Sequence, residues 1–175
     1  MKLLDIDKDS KYLDKIHEIY FESFPENERV SFENIVNREF PNSRLLGFVD
    51  KDKLVGFSYV SVSDEFVYIV YLAIDKEYRS QGYGTTALSE IDNMFKDKTK
   101  VLSVEKPEYP NDTPSKKIAF YKKSGYELND FEFVCINQVY YSVHYGKYNK
   151  EKFLKLLLTL FPTCTDFKDI QTSQF

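Results

Sequence analysis

The stretch Ile74-Asp75-Lys76-Glu77-Tyr78-Arg79-Ser80-Gln81-Gly82-Tyr83-Gly84-Thr85-Thr86-Ala87-Leu88 decides how the rest of the chain is read. It follows Phe66–Ile74, an almost continuous apolar run of the kind that forms a central strand buried on both faces. A polar loop spans Asp75–Gln81. Gly82 then opens a predicted helix to Phe95, with Ala87, Leu88, Ile91 and Met94 or Phe95 on its inner side. Gly82 and Gly84 allow close backbone approach and conformations barred to other residues. The N–H groups from Gln81 to Thr86 are expected to lack helical acceptors and to converge where the helix dipole favours negative charge. A pyrophosphate fits such a place, and Arg79 adds a positive charge at its rim. The stretch lacks the Gly-Lys-Ser/Thr of a P-loop, and the third glycine of a dinucleotide turn is replaced by Ala87. Taken alone, it reads more readily as an ordinary glycine turn.

Working outward, strands are expected at Lys2–Ile6, Arg44–Asp50 and Leu54–Val62, joined by the polar turns Lys51-Asp52-Lys53 and Ser63-Asp64-Glu65. Between the first two strands, Asp9 or Ser10 can cap a helix whose apolar face is Leu13, Ile16, Tyr20 and Phe24. Pro25 ends that helix. Ser31 caps a second helix, predicted to reach about Glu39 before Pro41. Downstream come a strand at Lys100–Val104 and a helix capped by Thr113 with Pro114 at its first position, closed by Gly125. Phe131–Ile136 and Val139–Tyr145 read as an antiparallel pair. A last amphipathic helix at Lys150–Phe161 is stopped by Pro162. Residues 1–162 are thus expected to form one domain, and residues 163–175 a loose polar tail.

A second segment, Lys117-Ile118-Ala119-Phe120-Tyr121-Lys122-Lys123-Ser124-Gly125-Tyr126-Glu127, lies downstream with one predicted strand between. Arg79-x-x-Gly82-x-Gly84 resembles the coenzyme A motif of the GNAT superfamily of acetyl-CoA-dependent N-acetyltransferases. The second segment is similar to that family's "alanine/isoleucine–x–phenylalanine–tyrosine, then glycine–phenylalanine/tyrosine" signature. The resemblance is close from about Phe66 to Tyr126 and extends to the N-terminal part in layout only. Two positions depart from it. Ser80 stands where the family often has glycine, and Pro114 stands where it often has asparagine, although Asn111 is close by.

The resemblance implies a GNAT-like α/β fold: a mixed central sheet of about six to seven strands flanked by helices, with an added C-terminal helix. It implies acetyl-CoA as co-substrate and direct attack of a primary amine on the thioester in a ternary complex. The amine belongs to a small molecule or a peptide. By position, the Leu72 N–H would donate to the acetyl carbonyl, and Ala73 and Ile74 would align the pantetheine. Arg79, Gln81, Gly82, Tyr83, Gly84, Thr85 and Thr86 would hold the diphosphate.

Tyr121 would protonate the departing thiolate. Periodicity alone favours a plain buried aromatic at Tyr121, and the motif favours the acid. Glu105, at the end of the strand before the second segment, is the candidate general base acting through water. Tyr68 occupies the place where some relatives carry an acidic base. Glu26 and Glu28, in the charged connector Pro25–Arg29, are candidate contacts for a cationic acceptor, alongside Tyr68 and Glu105. Each of these carboxylates also reads as solvated surface. His144 is a further base candidate, whereas His17 falls on the apolar helix face and reads as a core or boundary residue.

Composition bounds the alternatives. A net charge of −4 argues against nonspecific nucleic-acid binding. The apolar run Leu156–Phe161 is too short to span a bilayer, so no membrane partner is expected. The two cysteines, Cys135 and Cys164, suggest no disulfide framework and no metal spacing, which fits a reducing cytoplasm. No metal cofactor is expected. The oligomeric expectation is a monomer or a homodimer, with the Tyr-rich strand Val139–Tyr145 and the last helix as a candidate surface. A noncatalytic acyl-CoA-binding sensor or regulatory module is the alternative to a transferase.

Overall fold

The computed structural model describes residues 1–170. Among them lie eight strands and five α-helices, a mixed α/β content with one strand more than the upper expectation. The chain forms two compact units, Met1–Asp97 and Lys98–Phe175. The last five residues of the expected tail lie outside the described residues.

The first unit contains β1 (Lys2–Asp5), α1 (Leu13–Ser23), α2 (Phe32–Val36), β2 (Ser43–Asp50), β3 (Lys53–Val62), β4 (Phe66–Ile74) and α3 (Tyr83–Met94). Its strands pair antiparallel in the order β1-β2-β3-β4. The amphipathic spacing of α1 buries Ile16, Ile19 and Tyr20 against Phe57 and Tyr71 of the sheet. Each such burial contributes about 1.5–3 kcal/mol. Tyr12 precedes α1 without a side-chain cap, so the helix begins later than Asp9 or Ser10 would have placed it. The Ser10 hydroxyl instead accepts the Tyr12 N–H. Ser31 does cap α2, accepting the Asn34 N–H at 3.2 Å. That helix stops at Val36 rather than near Glu39, because Arg38 takes a left-handed φ of 58°.

Two irregularities shape this sheet, one in the β2–β3 ladder and one in the β3–β4 ladder. Val55 is the extra residue between Gly56, opposite Phe48, and Leu54, opposite Val49. Val70 is the extra residue between Ile69, opposite Val60, and Tyr71, opposite Tyr59. Such bulges bend a strand and release part of its ladder. Gly56 faces Ile74, where the strands run so close that a Cβ would lie 2.5 Å from the Ala73 carbonyl oxygen.

The second unit contains β5 (Thr99–Glu105), α4 (Thr113–Lys123), β6 (Glu127–Cys135), β7 (Gln138–Tyr145), α5 (Lys150–Leu160) and β8 (Thr165–Asp169). β5, β7, β6 and β8 pair antiparallel in that order. β6 begins four residues before the Phe131 start read from the sequence. Asn129, Asp130 and Phe131 together oppose Ser142, and this wide bulge destroys the alternation that marks a strand. β7 lies between β5 and β6, with Tyr141, Ser142 and Val143 buried and Tyr145 exposed.

β8 is the additional strand. It occupies the polar stretch expected to be loose, and only Phe167 packs inward, 6.0 Å from Phe133. A polar edge strand carries too thin an apolar alternation to be read locally.

Candidate functional site

In the first unit, the candidate site is the end of β4 and the turn after it. Asp75 closes the strand. Its N–H donates to the carbonyl of the bulged Val55 at 2.9 Å, and its Oδ1 accepts the Glu77 N–H, starting a 3-10 turn at Lys76–Tyr78. The Lys15 ammonium of α1 stands 2.7 Å from the other carboxylate oxygen. Neither residue was singled out by sequence, although a carboxylate directly after a buried strand is a recognisable turn signal.

Arg79 follows. Its Nε donates to the Ile74 carbonyl at 2.9 Å and its Nη2 to the Ser23 hydroxyl at 3.1 Å. Two of its five donors thus fasten the loop to β4 and α1, and the exposed guanidinium keeps its charge and its remaining donors. Gln81 braces the same loop by donating to the Glu77 carbonyl. Ser80 and Gly82 both adopt left-handed backbone, with φ of 61° and 85°. Ser80 therefore accepts a strain that glycine would avoid, of about 1–2 kcal/mol.

Gly82 is the N-cap of α3 and supplies no capping side chain. The first helical bond runs from the Thr86 N–H to the Gly82 carbonyl at 3.1 Å. The N–H groups of Tyr83, Gly84 and Thr85 consequently have no intrahelical acceptor. Thr86 does not belong with them, because its N–H and its hydroxyl both donate to Gly82. A Cβ built on Gly82 meets nothing within 4 Å, so the uncapped amides border open space. The Tyr83 ring turns away to donate its hydroxyl to Asp50 at 2.9 Å, leaving its backbone N–H as its contribution.

β4 itself is irregular where the resemblance places the thioester. Leu72 pairs with Ser58, two residues beyond the Val70 bulge. The buried Ser58 hydroxyl donates to the Tyr71 carbonyl at 2.9 Å. Leu72 and Ile74 are half-buried and Ala73 is buried. Tyr68 is buried near the start of the strand, opposite Ser61. The Tyr71 hydroxyl donates to the Glu28 carbonyl at 2.7 Å and accepts the Val30 N–H at 3.1 Å, tying the connector between α1 and α2 to β4. Glu26 and Glu28 lie on a 3-10 turn, Glu26 exposed and Glu28 half-buried. His17 is exposed, its ring tilted against Phe21 at 4.5 Å and edge-on to Phe32 at 4.9 Å, not a core residue.

In the second unit, Tyr121 sits on the inner side of α4, 9% exposed, with its ring 5.2 Å from Phe120 and 5.9 Å from Tyr126. Burial pushes its phenol well above the ordinary range, and no protein group among the described residues hydrogen-bonds its hydroxyl. Asp112, rather than Thr113, caps α4. One oxygen accepts the Ser115 N–H at 2.7 Å, and the other accepts the Glu108 and Tyr109 N–H groups. Desolvation opposes ionisation of Asp112, but these bonds outweigh it and hold the carboxyl near a pKa of about 2. Gly125 ends the helix with φ of 88°.

Glu105 is half-buried as the last residue of β5, opposite Tyr140. His144 is committed to structure: its Nδ1 lies 2.6 Å from the Asn129 amide oxygen, and its ring stacks on Tyr148 at 4.5 Å. Burial lowers its pKa, against a smaller opposing effect of Glu127.

The chain belongs to the acetyltransferase (GNAT) family, whose model matches residues 13–126, and it is an acyltransferase by class. Sequence comparison with curated proteins gives no significant match. Among solved structures, a GNAT-family acetyltransferase of Bacteroides thetaiotaomicron is 24% identical, with a TM-score of 0.78 over 91% of this chain and 97% of that one. An aminoglycoside 6'-N-acetyltransferase of Enterococcus faecium is 16% identical, with a TM-score of 0.61 over 85% of this chain and all 100% of its own. A Bacillus subtilis acetyltransferase solved in complex with CoA is 12% identical, with a TM-score of 0.60 over 84% of this chain and 99% of its own. At these identities the likeness establishes a shared fold. No helix among the described residues is long and apolar enough to cross a membrane.

Proposed function

We propose that this protein is an N-acetyltransferase that moves the acetyl group of acetyl-CoA directly onto a primary amine. The observation that carries the reading is the uncapped start of α3. Three amides without helical acceptors follow a left-handed glycine, beside an arginine, at the end of a bulged buried strand. Oriented amides at a helix N-terminus suit a diphosphate. Relatives of the same fold solved with CoA support the choice of ligand.

In this reading Tyr83, Gly84 and Thr85 donate backbone N–H groups to the diphosphate, Gln81 and Gly82 shape the turn, and Arg79 contributes charge at its edge. Thr86 acts by closing the first helical turn. The backbone of Ala73 and Ile74 aligns the pantetheine. The Leu72 N–H donates to the acetyl oxygen as it gains charge, an effect worth about 2.7–4 kcal/mol for comparable donors.

The amine nitrogen forms its bond to the carbonyl carbon, and the carbon–sulfur bond breaks. Tyr121 gives its proton to the sulfur. Burial keeps that phenol protonated at neutral pH, and solvent returns a proton to it once the thiol has formed. Glu105, through water, takes the proton that the amine loses.

An acetyl-CoA assay against a panel of polyamines, aminoglycosides, amino acids and peptide N-termini, read by thiol release, tests the proposal. Turnover of one amine supports it. Tight CoA binding with silence across the panel would support the noncatalytic sensor instead.

A further inference from the structure

The first unit holds a second concavity apart from the turn. It has a volume of about 210 Å³ and is lined by Val30, Asn34, Glu39, Phe40 and Tyr59. The rings of Phe40 and Tyr59 stack at 5.8 Å and 26°. The Tyr59 hydroxyl is occupied, donating to the Ser43 hydroxyl at 2.8 Å and accepting the Phe40 N–H at 3.4 Å. Tyr59 therefore offers the cavity a fixed ring rather than a free hydroxyl. Val30 is held from both sides, its carbonyl by Tyr20 and its N–H by Tyr71.

Glu39 supplies the charge. It is exposed at the cavity, and its carboxylate has no hydrogen-bond or ion-pair partner among the described residues. The neighbouring cations are committed elsewhere. Arg38 binds Asp5 and the Ile6 carbonyl, and Arg29 lies over the Phe21 ring. The Asn34 amide oxygen accepts the Ser31 hydroxyl.

An unpaired carboxylate beside the half-buried Phe40 ring and a valine, with buried Tyr59 behind them, is a recognition surface for an alkylammonium, through ion pairing and cation–π attraction. It has few groups to satisfy the hydroxyls of a sugar. Its position is also informative. Tyr59 is the cross-strand partner of Tyr71, the residue before Leu72. Val30, which lines the cavity, is also bonded to the Tyr71 hydroxyl, so the cavity borders the strand that the reading above places beside the thioester.

We infer that this cavity binds the distal ammonium of the acceptor, and that the acceptor is an aliphatic di- or polyamine. The inference rests on the acetyl-transfer reading above and names its substrate class. Isothermal titration separates the two. Spermidine and CoA are titrated separately into the wild-type protein and into Glu39→Gln, with an aminoglycoside as the competing cation.

The expected result is one-to-one spermidine binding that weakens about threefold to fivefold in Glu39→Gln and in high salt, while the CoA isotherm is unchanged. Absent spermidine binding beside normal CoA binding overturns the cavity assignment and leaves the transferase reading standing. Equal spermidine affinity in Glu39→Gln overturns it as well. An aminoglycoside that binds more tightly than spermidine and depends on Glu39 overturns the substrate class. Absent CoA binding removes the transferase reading itself.

Discussion

The Lys15 ammonium stands 2.7 Å from the Asp75 carboxylate, whose side chain is 1% exposed. One residue belongs to α1 and the other begins the turn that leads to Arg79, so the pair fastens a helix to the loop that shapes the candidate diphosphate site. Burial pushes the Asp75 carboxyl up, but Lys15 and the Glu77 N–H outweigh it and hold it below its ordinary 3.8. The Asp75 hydrogen bond, against a smaller desolvation effect, raises Lys15 above its ordinary 10.5.

Removing Lys15 leaves a buried carboxylate without its cation. Lys15→Met is expected to destabilise the protein by about 2 kcal/mol, less than a fully buried pair because Lys15 is a third exposed. The sign with pH follows from the two shifts. The Asp75 contribution is complete above pH 3.8 and is lost as pH falls through its depressed folded value. The Lys15 contribution is complete below pH 10.5 and is lost as pH rises through its raised value. Urea midpoints of wild type and Lys15→Met should therefore differ at pH 7 and converge toward pH 3.

Tyr121→Phe keeps the ring that packs against Phe120 and Tyr126 and removes only the hydroxyl. Once an acceptor is known, turnover should fall about 100-fold while CoA affinity stays within twofold, because a general acid acts on the barrier rather than on ground-state binding. Steady-state kinetics with a parallel CoA titration checks it. Unchanged turnover would remove Tyr121 from the chemistry.

Gly82→Ala introduces a Cβ into open space but at φ of 85°. The expected cost is about 1 kcal/mol of backbone strain. CoA affinity should drop at least as much as stability, since the strain is relieved by turning the amides of Tyr83 and Gly84. A variant that loses stability while binding CoA normally would separate this turn from the ligand.

Gly56→Ala places a Cβ 2.5 Å from the Ala73 carbonyl oxygen, a backbone atom that cannot swing aside. Strand β4 must move at Ala73 and Ile74. Thermal unfolding should show a loss of about 1–3 kcal/mol, as for other overpacked sites.

His144 gives the protein a second acid sensitivity. Its folded pKa lies below the ordinary 6.5 because it is half-buried, so the native state binds fewer protons than the unfolded chain in that window. Its contribution is complete above pH 6.5 and is lost as pH falls through the depressed value. The slope of stability between pH 7 and pH 5 should flatten in His144→Gln, as measured by urea unfolding.

The chain by itself determined the elements of the candidate site. Gly82 and Gly84 after an apolar strand announce the turn, and Ile118, Tyr121 and Gly125 announce the helix that carries the proposed acid, because backbone freedom and helical period are local properties. The family followed from those two segments. Tertiary structure decided what depends on partners distant in sequence. Lys15 meets Asp75, Arg79 reaches Ser23, and Tyr71 holds Val30 only after α1 and its connector pack on β4. The Val70 and Asn129–Phe131 bulges and the polar strand β8 arise from pairing register, which no local alternation encodes. The Glu39–Phe40–Tyr59 cavity is likewise invisible along the chain, since its walls come from a left-handed loop and a strand that meet only in the folded unit.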